Sequence, residues 1–107
     1  MKRGIVLFTI QPDGTLIGEY TNETINRVLI ETATLIGARN ENPILGRYRS
    51  LYSEEDIQII AELEITPGTH NTLIFNWRTE NDNGKMYTGW GYQMNPQQIA
   101  AYYELLP

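Results

Sequence analysis

Glycine followed two residues later by tyrosine occurs in Gly18-Glu19-Tyr20 and Gly46-Arg47-Tyr48, and more loosely in Tyr87-Thr88-Gly89-Trp90-Gly91-Tyr92. On an extended chain, residues two apart share a face, so each tyrosine stands beside a position with no side chain. A phenol ring there fills space, and its hydroxyl offers one hydrogen bond to a ligand or a buried water. Phe75 and Trp77 share a face in the same way, while Asn22 and Ser50 each lie two residues beyond one of the tyrosines. Tyr20, Tyr48, Phe75 and Trp77 as walls, with Asn22 and Ser50 as polar anchors, form a set suited to enclosing a small organic molecule.

Groups able to make or break bonds are sparse. His70 is the single histidine and falls in the turn Pro67-Gly68-Thr69-His70-Asn71. A metal site needs several such ligands, and a nucleophile needs a base held against it. Glu80-Asn81-Asp82-Asn83-Gly84 lacks the spacing and the terminal bidentate glutamate of a calcium loop, and it reads as a hairpin turn. Paired carboxylates for glycoside chemistry are not marked out among the ten glutamates. Arg47 and Arg49 project together. They could hold a carboxylate inside the molecule, but salt bridges with Glu62, Glu64 or Glu31 on neighbouring strands account for them more simply. No catalytic residue, metal site or cofactor is expected, and the chain is not read as an enzyme.

Those residues must be positioned by elements that fit in 107 residues, a length for one domain spanning 1–107. Thirteen acidic and eight basic residues give a net charge of -5, which disfavours both nucleic acid and anionic membrane surfaces as partners. The charged head Met1-Lys2-Arg3 and the apolar run to Ile10 lead directly into Gln11-Pro12-Asp13-Gly14. With no small-residue cleavage site, this start is read as a strand rather than a secretion signal. The absence of cysteine agrees with a reducing compartment, and the expected location is cytoplasmic.

Turn-forming clusters interrupt the chain at Pro12-Asp13-Gly14, Asn22 to Asn26, Asn40 to Pro43, Ser53 to Asp56, Pro67-Gly68, Glu80 to Gly84 and Asn95-Pro96. The eight segments between them are rich in β-branched and aromatic residues. From Ile57 to Ile65 every odd position is apolar, the period of a strand and not of a helix. Thr72 to Thr79 alternates likewise, with Ile74 the exception. Asp82-Asn83-Gly84 joins strands six and seven as antiparallel neighbours. Pro96 to Leu106 could begin as a short helix, yet Ile99, Ala101, Tyr103 and Leu105 alternate, and a strand is favoured.

Eight strands of about nine residues and seven loops of about four nearly exhaust the length, leaving no room for crossover helices. The expected fold is therefore all-β, an antiparallel up-and-down eight-stranded barrel whose closure removes exposed edges. Glycines facing its lumen relieve crowding where strands bend. Strand seven leaves its inward face open; if Gly89 and Gly91 face inward, Trp90 and Tyr92 face outward, and with Ile74 they form a candidate subunit interface and predict a homo-oligomer. Ile17, Leu29, Leu35, Leu45, Leu51 and Ile60 are read as further outward apolar positions.

Asp13-Gly14-Thr15-Leu16-Ile17-Gly18-Glu19-Tyr20, then Leu45-Gly46-Arg47-Tyr48-Arg49-Ser50, then Phe75-Asn76-Trp77-Arg78, the Gly-Trp-Gly-Tyr strand and Leu105-Leu106 follow one another in an order that resembles the avidin and streptavidin family. That resemblance, scattered over about two thirds of the chain, implies an eight-stranded barrel that usually forms tetramers and binds biotin at one end. It places Tyr20 at the ligand's ureido oxygen, Trp77 at the pocket wall and Asn22 near a polar contact. Strand one, Gly4 to Ile10, lacks the Trp, Asn and Ser of the family, so the biotin-binding set is incomplete. Lipocalin-like and other calycin barrels share the general architecture.

The expected function is a non-catalytic binding module for a small organic ligand at the barrel mouth. The alternative is a structural or protein-interaction subunit with a solid core that oligomerises through its outer strand faces.

Overall fold

A computed structural model describes residues 2–37, 44–54 and 56–107. Among them eight strands run in chain order: β1 (Arg3–Ile10), β2 (Leu16–Asn22), β3 (Leu29–Leu35), β4 (Gly46–Glu54), β5 (Ile57–Pro67), β6 (Leu73–Thr79), β7 (Met86–Asn95) and β8 (Gln98–Leu105). Each pairs antiparallel with the next, and β8 returns to β1 through pairs such as Phe8 with Ile99 and Val6 with Ala101, closing the barrel. The expected turn at Asn40 to Pro43, and Glu55 in the β4–β5 turn, lie outside the described residues.

Period-two patterning decides which side chains the closed sheet hides. In β5, Ile59, Ala61, Leu63 and Ile65 are buried; in β6, Leu73, Phe75 and Trp77 are buried while Ile74 faces out. Within the Pro96 to Leu106 segment, Pro96 and Gln97 form a turn and Gln98–Leu105 a strand with Ile99, Ala101 and Tyr103 inward. Between β6 and β7, Asn83 (φ 57°) and Gly84 (φ 65°) both adopt positive φ, the conformation that makes an Asn-Gly pair suited to a tight turn. Gly18 is buried opposite Phe8, and a Cβ there would stand 2.8 Å from the ring. A β-carbon at Gly91 would run into the carbonyl oxygen of Ala100 on β8. Close approach of side chain or backbone thus explains glycines inside these strands.

One half of the barrel is packed solid. Phe8, Leu16, Ala33, Tyr48, Ile65, Phe75 and Ile99 are almost wholly buried there. Phe75 stacks on Phe8 at 6.2 Å and on Trp77 at 5.8 Å, and Trp77 meets Tyr103 edge-on at 6.0 Å. The resulting aromatic column ends with Trp77 beneath the opposite mouth.

The outer surface mixes charge with apolar side chains. Arg47 binds Glu62 at 2.5 Å and Arg49 binds Glu80 at 3.0 Å, so the arginine pair does face out. Glu31 is not available to either, because it lies inside the barrel. The phase of β3 is opposite to expectation: Leu29, Glu31, Ala33 and Leu35 point inward, with Leu29 and Leu35 packed against the core. Leu45 also packs on the core rather than facing solvent. No helix among the described residues is long and apolar enough to cross a membrane.

Candidate functional site at the open barrel mouth

The start of β1 and the connections β2–β3, β4–β5 and β6–β7 lie at one end of the barrel. There, short loops leave the lumen unfilled over Trp77. The cavity is about 360 Å³ and is walled by Tyr20, Leu29, Tyr52, Trp77, Tyr87 and Tyr103. Lys2 and Glu54 form an ion pair at its edge, joining the beginning of β1 to the end of β4. Arg27, from the β2–β3 connection, stands exposed at the rim.

Several polar groups of the wall are already engaged. Tyr20 donates its hydroxyl hydrogen bond to the carbonyl of Ser53 at 2.7 Å, and Tyr103 donates to the carbonyl of Thr21 at 3.1 Å. Asn22 Nδ2 donates to the Tyr103 hydroxyl at 3.4 Å, while Asn22 Oδ1 accepts from the backbone and hydroxyl of Thr24. Asn22 therefore shapes the loop that begins at the rim.

Glu31 forms the polar floor. Its residue exposure is 5%, and one oxygen, Oε2, accepts both from Ser50 Oγ at 2.5 Å and from Trp77 Nε1 at 2.8 Å. Its other oxygen, Oε1, has no hydrogen-bond partner among the described residues. Among the described residues no fully buried side-chain N or O atom lacks a partner, so Oε1 is accessible, and the open space beside it is the cavity. The same reasoning leaves the hydroxyls of Tyr52 and Tyr87 free to bond into this space.

Burial disfavours a charge at the floor and pushes the Glu31 carboxyl above its ordinary range, while the Ser50 and Trp77 bonds pull it back. Desolvation also raises Tyr20, Tyr52 and Tyr103, and it pushes Tyr87 up to about 12. The four phenols thus remain protonated at neutral pH, serving as donors and acceptors rather than bases. Among the described residues, no group of three or more metal-ligating side chains converges.

Of the residues expected at a ligand site, Tyr20, Asn22 and Trp77 line the cavity. Tyr48, Ser50 and Phe75 lie below it in the packed half. Tyr48 donates to the Ile44 carbonyl at 2.7 Å, Phe75 belongs to the aromatic column, and Ser50 reaches the cavity only through Glu31. Trp90, Tyr92 and Ile74 are exposed on the outside, with Ile74 paired to Trp90. Sequence reasoning missed Glu31, Tyr52, Tyr87 and Tyr103. Three of these had a signal: Tyr52 continues the phase of Tyr48 and Ser50, Tyr87 that of Gly89 and Gly91, and Tyr103 that of Ile99 and Ala101.

Comparison with family models, curated proteins and solved structures finds no match for this chain. The site's chemistry therefore rests on its geometry.

Proposed function

We propose that this barrel is a non-catalytic binding module that takes one small organic ligand through its open mouth. The observation that carries this reading is the division of the lumen: one half is filled by side chains, while the other holds a 360 Å³ cavity of aromatic walls with a polar floor. Small-molecule sites have this character, with apolar enclosure and a few polar groups that fix orientation, in volumes of roughly 300–1,000 Å³. At the roughly 30 Å³ that a water occupies in the liquid, the space suits a ligand of about a dozen non-hydrogen atoms.

The avidin-like resemblance extends, in this reading, to a shared barrel architecture and to Tyr20 and Trp77 at the mouth. It does not extend to biotin, because the inward face of β1 carries Gly4, Val6, Phe8 and Ile10, which offer a ureido ring no side-chain hydrogen bond. Trp77 and Trp90 are the two tryptophans, and Trp90 lies outside. In Trp90→Phe, indole emission thus reports the cavity alone. Titration of small aromatic and heterocyclic compounds is expected to give a saturable emission change, which Leu29→Phe, narrowing the mouth from β3, removes. A panel without any saturable response overturns the reading.

A second reading, assembly through the outer strand faces, is favoured by a row of apolar residues in register across four strands: Ile74, Trp90, Tyr102 and Ile5. It is compatible with the first, since the row lies outside the lumen.

A further inference from the structure

We propose that the mouth cavity selects an organic cation, an amine or amidine whose N–H groups reach Glu31 Oε1 while its apolar body lies among Tyr20, Tyr52, Trp77, Tyr87 and Tyr103. This deepens the binding-module reading and rests on it.

Three features lead to this class. Glu31 is buried, both of its protein donors serve Oε2, and Oε1 is left as an acceptor toward the open space. A carboxyl placed so is completed by a donor brought in from outside, and a charged donor makes the stronger bond. The walls supply indole and phenol rings, whose faces attract cations through their quadrupoles. The fixed charges also agree: Lys2 is neutralised by Glu54, Arg27 stays at the exposed rim, and the chain carries a net charge of -5. An anion descending to the floor would leave both rim cations behind and meet a carboxyl.

Among the described residues, the titratable groups facing Glu31 are the phenols of Tyr20 on β2, Tyr52 on β4 and Tyr103 on β8, and burial keeps all three neutral. With Lys2 and Glu54 paired at the rim, Glu31 is the inner carboxyl among the described residues whose ionisation an arriving cation would favour. Cation affinity therefore rises with pH as the free carboxyl becomes easier to ionise.

Benzylamine, benzyl alcohol and phenylacetate share a ring and differ in charge, so calorimetric titration of the full chain with each separates the alternatives. Benzylamine, charged throughout pH 5–8, is expected to bind at least tenfold tighter than the alcohol, with phenylacetate weakest. Its affinity should climb with pH until the free carboxyl is ionised. Glu31→Gln should bring the amine down to the alcohol's affinity and erase the pH trend. Should that variant not fold, the single indole N–H resonance of Trp90→Phe, which belongs to the donor on Glu31, provides the readout. It must shift on amine addition and shift less with the alcohol. Alcohol or phenylacetate binding as tightly as the amine overturns cation selectivity and leaves the binding module standing. If none of the three binds at millimolar concentration, the binding reading falls for compounds of this size and cation selectivity falls with it.

Discussion

Glu31 joins the packed half of the barrel to the open half, and its protonation is coupled to folding. Its ordinary value is 4.5, and burial raises it in the folded state, so between 4.5 and the raised value the native chain holds a proton that the unfolded chain has lost. Stability from this group is therefore full below 4.5 and declines as pH rises through that window, by at most about 1.4 kcal/mol per pH unit. Glu31→Gln keeps an oxygen for Ser50 and Trp77 but does not ionise. Its stability relative to wild type, measured by urea denaturation from pH 4 to pH 8, should increase with pH above 4.5 and level off once the native carboxyl ionises; parallel profiles would show that burial does not shift Glu31. Trp77→Phe removes the indole donor while keeping most of the ring volume. The loss of a bond to a buried carboxyl should destabilise the fold by about 1–3 kcal/mol and extend the Glu31 window to higher pH, and the same titrations read both effects.

At the scale of strands, legibility depended on whether burial and polarity agreed. In β5 and β6 they do, and the inward faces follow directly from alternation. In β7 alternation left both faces open, since aromatic residues lie on each; the structure turns Tyr87 and Gly91 inward and leaves Trp90 and Tyr92 outside. β3 failed for a physical reason. A carboxylate between Leu29 and Ala33 marks that face as solvent in any local reading, whereas here the barrel buries it and provides two donors from β4 and β6. The polar floor of the cavity was hidden because it breaks the pattern that makes the strand readable. The β6–β7 turn shows the opposite case, where local chemistry and fold agree. Gly84 has φ 65°, and a β-branched residue is costly there by roughly 1–2 kcal/mol. Gly84→Val should lower the urea midpoint accordingly while leaving far-ultraviolet dichroism unchanged; an unaltered midpoint would mean that the turn adapts.

Closure solves the edge problem for the whole molecule but leaves its outer surface uneven. β4 and β5 carry the Arg47–Glu62 pair, whereas Ile74, Trp90, Tyr102 and Ile5 form an apolar row over β6, β7, β8 and β1. Tyr92, Ala100 and Leu7 form a second row beside it, which continues through Glu19 to Ile30 on β3. Trp90 is 57% exposed and Ile5 62%, so the face is not covered by its own chain. The six strands that these rows cross, at roughly 4.8 Å spacing, span about 24 Å around the curved wall. Apolar faces of this extent are uncommon on monomers. A second copy of the chain, presenting the same face about a two-fold axis, would cover both aromatic rows at once. Sedimentation equilibrium at tens of micromolar should then give a mass at least twice 12.3 kDa, and Trp90→Glu, which places a carboxylate in the middle of the first row, should return the chain to a monomer. Because that side chain lies outside the lumen, ligand affinity in the variant should match wild type. A wild-type chain that sediments as a monomer would assign these rows no role in self-assembly, and a loss of ligand binding in Trp90→Glu would mean that the outer face and the mouth are coupled through β7.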